Sequence, residues 1–311
     1  MYADDTHLTY AGDNAEIIQL RLNQDLENVH NWLRVNKLTL NMTKTEFMLI
    51  RCRQRLSSLT ESPTFAIIND FQVSQVTTAK SLGVTVDDRL DWSGHIEKVT
   101  KKVASGIAVI KRIRHFVPQA TLHLIYQALI QPHFDYCNIV WGNCGITLRN
   151  KVQTLQNRAA RVLTYSNYDV DAGHLFKLLG WKNLACQQQI QRATMVCRSP
   201  HGSAPNYLSS KFERREIAYN LRDSENKLNV LIPHTNYYKN SFSCSWAKIF
   251  AFSDLREAES LWKFKRLIKE EQSGPAFGET SFYLNSWLLW IRYFFKGDEF
   301  LPWINKDCLS T

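Results

Sequence analysis

The sequence predicts an α+β fold, with one long helix and short strands in its first part and mainly helices after that. Apolar residues near the N-terminus recur at spacings of three and four, which is typical of an amphipathic helix. Segments 45–50 and 65–86 combine β-branched and aromatic residues in short runs, as strands do. Beyond Trp92, three helical patterns follow one another with short links, which predicts a small bundle.

Composition and charge favour a globular protein with an acidic partner. The chain has 311 residues, of which 44% are hydrophobic and 22% charged, and this balance excludes a disordered chain. Its formal net charge of +9 makes nucleic acid the commonest candidate partner. The seven cysteines are scattered and include no CxxC pair, which favours reduced thiols in an intracellular protein.

No segment of the sequence predicts secretion or a membrane span. The N-terminus carries Asp4 and Asp5 where a signal peptide would need an apolar run. The most apolar stretch, 282–295, is too short to cross a membrane and contains Asn285 and Arg292. We therefore expect an intracellular protein without a membrane partner, and the choice between nucleus and cytoplasm stays open.

The first predicted elements are a short strand and a long helix. The strand-like run around Leu8 is closed by Gly12, and Asp13 with Glu16 has the form of a capping box that begins the helix. Asn36 suits a left-handed residue that ends it. The apolar stripe of this helix consists of Ile18, Leu22, Leu26, Val29 and Leu33.

Later elements follow from the same reasoning. Segment 65–86 is expected to form one or two strands, joined by a turn at Asn69-Asp70. Pro118 suits the first turn of the second bundle helix, and Pro132 is expected to end or kink it. The stripe of the first bundle helix consists of Ile96, Val99, Val103, Ile107 and Ile110. The third bundle helix carries Val152, Leu155, Ala159 and Val162.

The motif Tyr2-Ala3-Asp4-Asp5 carries the clearest chemistry. Two adjacent carboxylates on a tight turn between strands can present oxygen ligands to Mg²⁺. Polymerases use two such ions, about 4 Å apart, to clamp the attacking and leaving oxygens. The alternative is an exposed acidic pair without a role.

Other acidic and histidine residues give weaker signals. Asp87-Asp88 is interpreted as part of a loop before Trp92. Asp169 with Asp171 fits a surface turn. His174 and His201 have no partner at a catalytic spacing, so both are interpreted as structural or exposed.

Several segments occur in an order that resembles the palm-to-thumb passage of non-LTR retrotransposon reverse transcriptases. They are YADDTHLTYAG, LRVNKLTLNMTKTEFMLI and TTAKSLGVTVDDRLDWSGHIEKV. The resemblance continues through HLIYQALIQPHFDYCNIVWG and KVQTLQNRAARVLT, and more loosely through HTNYYKNSFSCSWAKIF and LREAESLWKFKRLIKE. It covers about residues 1–269 and leaves out the aromatic tail.

The resemblance implies three regions, followed by a tail. Residues 1–90 would be an incomplete polymerase palm, with the remnant of the YADD hairpin, a long helix and a few antiparallel strands. Residues 93–165 would be a three-helix thumb, and 166–271 a mixed, mainly helical region. The tail 272–311 fits none of them.

The resemblance also assigns catalytic roles. Asp4 would bind Mg²⁺, and Asp5 would be its weaker partner. Tyr2 would flank the primer terminus. Lys44 lies where the family has a basic residue near the departing pyrophosphate, so it is a candidate general acid, and the alternative is a solvated lysine before a strand.

Nucleic-acid contacts are assigned in the same way. Lys80 to Val84 match the hairpin that grips the primer strand, with Lys80, Leu82 and Gly83 as its candidate residues. Thumb residues near the phosphate backbone would be Lys98, Lys101, Lys102, Lys111 and Arg112. For each of these basic residues, a merely solvated helix face is the alternative.

The sequence departs from the family at its start. Two-metal catalysis in the family uses a further aspartate well upstream of YADD, and only Met1 precedes Tyr2 here. We therefore expect a fragment truncated at the YADD motif, with no polymerase activity of its own and possible pairing with a missing N-terminal polymerase half.

Three functional hypotheses follow. The first is part of an RNA-directed DNA polymerase, a nucleotidyltransferase acting on an RNA template and a DNA primer. The second is a non-catalytic nucleic-acid-binding module, and the third is an inert retrotransposon relic.

Overall fold

The computed structural model describes residues 6–12, 15–50, 66–68, 71–198, 206–209 and 263. These residues form many helices and a few short strands, as an α+β fold requires. The chain divides into two compact units. The first comprises Met1–Lys102 and Cys144–Val152, and the second comprises Val103–Asn143 and Gln153–Thr311. Among the described residues, no helix combines the length and apolar character needed to cross a membrane.

Helix α1, Ala15–Val35, ends one residue later than the sequence predicts. The left-handed residue is Lys37, with φ 57°, and not Asn36. Leu38 N donates to the Leu33 carbonyl at 2.8 Å, and Lys37 N donates to the Arg34 carbonyl at 3.1 Å, which is a Schellman cap. Asn36 is held outside the left-handed position because its side chain donates to the Trp32 carbonyl. The predicted partner of Glu16 in the capping box, Asp13, lies outside the described residues.

Where the first unit is described, its short strands lie in three two-stranded sheets. Strands β1 (Glu46–Phe47) and β4 (Ser74–Gln75) pair in parallel, while β2 (Ile67–Ile68) and β3 (Phe71–Gln72) pair antiparallel. Strands therefore form in both later segments, but the described part of 65–86 contains five short strands where the sequence predicts one or two. The predicted strand around Leu8 is wrong, because the described residues 6–12 form no strand. The Asn69-Asp70 turn lies outside the described residues. A small core consists of Ala66, Ile68 and Val73, with Leu22, Leu26, Leu40, Met42 and Phe47 packed against it.

Helix α2, Ser93–Ile113, confirms the first predicted bundle helix. Every residue of its predicted apolar stripe is buried. Such a one-sided stripe forces the lysines of this helix onto the opposite face.

Two prolines shape the next helices of the second unit. Helix α3 spans Gln119–Leu129, and Pro118 is its N-cap, one position before the first turn where the sequence placed it. Ile130 ends α3, and the short helix α4, Gln131–Asp135, begins at once with Pro132 in its first turn. The predicted break at Pro132 is thereby confirmed, since its ring prevents an uninterrupted helix.

The rest of the described chain is mainly helical. Helix α5 spans Asn138–Trp141, and α6 spans Ile146–Leu163, so the third bundle helix begins earlier than its predicted stripe. Helices α7, α8 and α9 span Ala172–Leu179, Leu184–Arg198 and Asn206–Ser209. After α7, Gly180 adopts φ 66° and directs Trp181 onto Tyr126, where the two rings stack with centroids 4.1 Å apart.

A polar cluster lies within this helical packing. The Tyr126 hydroxyl donates to Gln131, whose amide donates to Asp135 at 2.9 Å and to Gln187 at 3.2 Å. The Gln191 amide reaches the other oxygen of Asp135 at 3.4 Å, and the Gln191 carbonyl oxygen is buried without a hydrogen-bond partner among the described residues. Burial raises the pKa of Asp135 to about 6, and its hydrogen bonds with the two glutamines only partly counteract this.

Close packing at Gly106 generates a first prediction. A Cβ added there would lie 2.8 Å from Cγ1 of Ile130, whereas a Cβ at Gly94 of the same helix would meet nothing within 4 Å. We expect Gly106→Ala to destabilise the protein by about 1–3 kcal/mol, because overpacking outweighs the gain in helix propensity. Gly94→Ala, the matched control, should leave stability unchanged or raise it slightly. Urea unfolding measures both variants, and equal effects would contradict the close contact.

The pKa of Asp135 generates a second prediction. Its folded-state pKa lies above the ordinary value of 3.8, so its contribution to stability is greatest below pH 4 and is lost as the pH rises to about 6. The free energy of unfolding of Asp135→Asn should therefore exceed that of the unsubstituted chain by on the order of 2 kcal/mol at pH 7 and by little at pH 4. An asparagine amide can also donate to the Gln191 carbonyl oxygen.

The measurement is urea unfolding at both pH values, with Asp169→Asn on the exposed surface as the control. A stability difference between Asp135→Asn and the unsubstituted chain that is the same at pH 4 and pH 7 would contradict the assignment.

Candidate nucleic-acid interface

The residues assigned to catalysis are mostly outside the described geometry. Tyr2, Asp4 and Asp5 all belong to the part of the chain that is not described. Among the residues that are, no three His, Cys, Asp or Glu side chains come together in a group that could hold a metal ion. The Mg²⁺ that the resemblance implies therefore stays a prediction.

Lys44 is described and lies on the surface. It is the last residue of a 3-10 helix, Met42–Lys44, immediately before β1. Its backbone N–H donates to the Asn41 carbonyl at 3.1 Å, and its side chain is exposed. Both interpretations of this lysine, a general acid and a solvated lysine before a strand, stay open.

The hairpin assigned to the primer strand is formed by β5 (Thr78–Ser81) and β6 (Val84–Asp87). In its antiparallel register Lys80 is opposite Thr85, and Ser81 is opposite Val84. The two residues between the strands, Leu82 and Gly83, have φ of 45° and 86°. Positive φ at both positions is the type I′ geometry that suits the twist of a tight hairpin. Glycine adopts it readily, whereas Leu82 is strained there.

The hairpin is joined to α2 through a turn that the Asp87 carboxylate organises. Asp87 is buried, and its Oδ1 accepts hydrogen bonds from the backbone N–H of Arg89 at 3.1 Å and of Asp91 at 2.9 Å. Its Oδ2 accepts one from Trp92 N at 2.8 Å. The turn also places Leu90 and Trp92 at positive φ, 54° and 68°. Asp87 is thus a structural carboxylate, and it is the last residue of β6, paired with Thr78, instead of lying in the loop where the sequence placed it.

Side chains of α2 also bind the hairpin directly. Thr85 N donates to Nδ1 of the buried His95 at 3.3 Å, and Lys98 Nζ donates to the Thr85 hydroxyl at 2.9 Å. Burial lowers the pKa of His95, and the charges of Lys98 and Lys102 lower it further. A neutral His95 is what the accepting Nδ1 requires. The hairpin and the first turns of α2 therefore form one connected structure.

The exposed face of α2 carries the predicted lysines. Lys101 pairs with Glu97 at 2.7 Å, and the Lys101 side chain is still 74% exposed. This hydrogen bond and the charges of Lys101 and Lys151 lower the pKa of Glu97. Lys102 is exposed and forms no ion pair within the described ranges. Lys98 uses one of its three donors on Thr85, so it keeps two for another acceptor.

Lys151, on α6, is a residue that sequence reasoning missed. It acts on Glu97 electrostatically although the two residues are far apart in the sequence, and it belongs to the same unit. No spacing in the sequence signals this proximity. The first unit thus brings together the hairpin residues Lys80, Leu82 and Gly83 with Lys98, Lys101, Lys102 and Lys151. Lys111 and Arg112, in the last turn of α2, are exposed and belong to the second unit.

Comparison with known proteins identifies three similar polymerases. The chain is 26% identical over 196 residues to a probable RNA-directed DNA polymerase from transposon BS of Drosophila melanogaster, covering 62% of this chain and 21% of that protein. It is 24% identical over 173 residues to the corresponding polymerase of the Drosophila X-element, covering 52% and 18%. It is 23% identical over 143 residues to a Pol polyprotein of an R1 element of Nasonia vitripennis, covering 45% and 35%.

The chain thus spans between about a fifth and a third of the length of these relatives. No protein-family model and no solved structure matches it. The relatives confirm the resemblance carried by the sequence motifs: the chain is similar to part of the RNA-directed DNA polymerases, or reverse transcriptases, of non-LTR retrotransposons.

Proposed function

We propose that the chain is the palm-to-thumb part of a non-LTR retrotransposon reverse transcriptase, and that its first unit holds the hybrid of RNA template and DNA primer. The observation that carries the proposal is the attachment of hairpin β5–β6 to α2 through Asp87, His95 and Lys98. This attachment fixes a tight hairpin tip beside a row of exposed lysines.

The lysine row has the geometry that a phosphate backbone needs. Lys101 and Lys102 lie three and four residues after Lys98, so both are neighbours of Lys98 on the same side of α2. The buried stripe of Ile96, Val99 and Val103 occupies the other face. Ammonium groups on flexible stems bind phosphates without reading bases, which suits a polymerase that must accept every sequence.

The individual lysines differ in how much charge they offer. Lys101 is partly neutralised by Glu97, and Lys98 is fixed by its hydrogen bond to Thr85. Lys102 has neither of these constraints and lies four residues after Lys98 on α2, about one helical turn away. We therefore assign Lys102 the largest salt-dependent contribution, with Lys98 as the positioned contact. Lys80 on β5 and Lys151 on α6 extend the same positive field.

Catalysis is a separate part of the proposal. It keeps Asp4 and Asp5 as the carboxylate pair for Mg²⁺, which would stabilise the charge that develops during nucleotidyl transfer, and Lys44 as the candidate proton donor to pyrophosphate. A non-catalytic binding module would use the lysine face but not Asp4, Asp5 and Lys44. An inert relic would use neither the lysine face nor these three residues. Hybrid binding separates the relic from the other two hypotheses.

A third prediction tests the lysine face. In fluorescence anisotropy with a labelled RNA–DNA hybrid, log Kd should depend linearly on log salt, and Lys102→Gln should reduce the slope by about one. Lys37→Gln, which removes an exposed lysine at the end of α1, is the matched control and should leave the slope unchanged. Absence of binding at low salt, or equal slopes for both variants, would refute the proposed binding face.

A fourth prediction concerns catalysis. Primer extension on an RNA template by the purified chain with Mg²⁺ should stay at background, because two adjacent carboxylates alone hold a metal weakly and affinity rises with ligand number. The readout is incorporation of labelled nucleotide, compared with a reaction that lacks protein. Extension that Asp4→Ala abolishes would show that this chain carries a complete active site.

A further inference from the structure

The second unit carries an exposed cluster of aromatic and basic side chains that the proposed function does not use. It lies where helices α2 and α6 end, since α2 ends at Ile113 and α6 ends at Leu163. We call it the aromatic–arginine cluster, and its members are Arg114, His115, Phe116, Arg161, Tyr165 and Tyr168.

Tyr165 connects the ends of the two helices. Its hydroxyl donates to the Arg114 carbonyl, and the Arg114 guanidinium lies over its ring, 4.9 Å from the centroid. The ring of His115 packs edge-on against it at 5.7 Å. Tyr165 itself adopts φ 56°, and this left-handed position lets the chain turn directly after α6. The base of the cluster is thus fixed by several contacts before any partner binds.

Two other rings are presented to solvent. The side chain of Tyr168 is 85% exposed and that of Phe116 is 86% exposed. The Arg161 guanidinium lies 5.0 Å from the centroid of Tyr168, and it also donates to the Val170 carbonyl at 3.2 Å. Such large exposed rings add nothing to a core, and their position beside arginines points to a ligand that is both planar and anionic.

The local charge favours the same ligand. The segments that form the cluster include Lys111, Arg112 and Arg158 in addition to its two arginines. The acidic residues nearby in sequence are Asp169 and Asp171, and the Asp171 carboxylate already accepts the His174 N–H at the start of α7. The net charge of these segments is therefore positive.

We propose that the aromatic–arginine cluster binds unpaired bases of a single-stranded nucleic acid. Bases would stack on Tyr168 and Phe116, while the arginines would neutralise the adjacent phosphates. An acidic protein surface would satisfy the arginines but would not need two exposed rings. The inference rests on the proposed function for the class of partner, and it concerns a different unit and a different feature of the nucleic acid.

The test is fluorescence anisotropy of the full chain with a labelled RNA of about 12 nucleotides, a length within the range of known single-strand sites. The reference ligand is an abasic strand of equal length, which keeps every phosphate and removes every base. The chain should bind the RNA roughly fivefold or more tightly than the abasic strand, the size expected for one stacked base.

Variants identify the rings as the cause. Tyr168→Ala should lose most of the preference for RNA over the abasic strand, and Tyr168→Phe should keep it because the ring remains. Leu178→Ala, which removes another largely exposed apolar side chain, on α7, is the matched control and should have no effect. Since Tyr168 is almost fully exposed, its replacement should leave the thermal unfolding midpoint unchanged.

The outcomes are distinguishable from those for the lysine face. Equal binding of RNA and abasic strand overturns the inference, as does a Tyr168→Ala variant that keeps its preference. Competition by polyglutamate that abolishes the difference between the two strands indicates an electrostatic surface only, and this also overturns it. If the chain does not bind the hybrid but binds single-stranded RNA in a way that depends on the Tyr168 ring, the proposed function is refuted and the inference about the aromatic–arginine cluster is supported.

Discussion

The buried Asp87 carboxylate is the constraint on which the arrangement of the first unit depends. The turn it organises holds two non-glycine residues, Leu90 and Trp92, in left-handed conformations that cost roughly 1–3 kcal/mol each. Three backbone N–H groups donate to the carboxylate, and hydrogen bonds to a charged group contribute roughly 1.5–3 kcal/mol each. The gain matches or exceeds the strain only because all three donors converge. With the turn fixed, the direction in which α2 leaves β6 is fixed too.

The fixed direction of α2 gives the lysines their position. His95 and Lys98 can reach Thr85 only because the first turns of α2 lie against β6. The neutral state of His95 is part of this arrangement, since a protonated Nδ1 could not accept the Thr85 N–H. The positively charged face of α2 is therefore positioned in part by a hydrogen bond to an uncharged histidine. The hairpin tip, with its strained Leu82, is held by the same connection.

The sequence predicted the helices and strands of this arrangement better than the turns and helix ends that connect them. The apolar stripe of α2 was correct at each position because its period depends only on which residues must be buried. The end of α1 was wrong by one residue, because the Asn36 amide reached the Trp32 carbonyl and Lys37 took the left-handed position. A loop before Trp92 was anticipated, but Asp87 itself ends strand β6, and a residue pattern does not reveal its three backbone donors.

The candidate site shows the same division. The resemblance to the family identified Lys80, Gly83 and the lysines of α2 as candidate residues. The ion pair of Lys101 with Glu97 and the nearby charge of Lys151 become visible only in the structure. The aromatic–arginine cluster was missed for that reason. Arg114 and Tyr165 are 51 residues apart in the sequence, far beyond the roughly 11–18 residues over which periodicity is informative. Their chemistry becomes visible only when the ring and the guanidinium are seen together.

The two buried carboxylates, Asp87 and Asp135, differ in whether their hydrogen-bond donors are close to them in the sequence or come partly from another helix. The donors to Asp87 are backbone N–H groups within five residues of it, so the turn depends on local contacts. The donors to Asp135 are side-chain amides, and that of Gln191 comes from another helix. Those amides can rotate, and they leave the Gln191 carbonyl oxygen unpaired among the described residues. Burial therefore dominates and raises the pKa of Asp135, so the stability of the second unit depends on protonation in a way that its sequence pattern does not reveal.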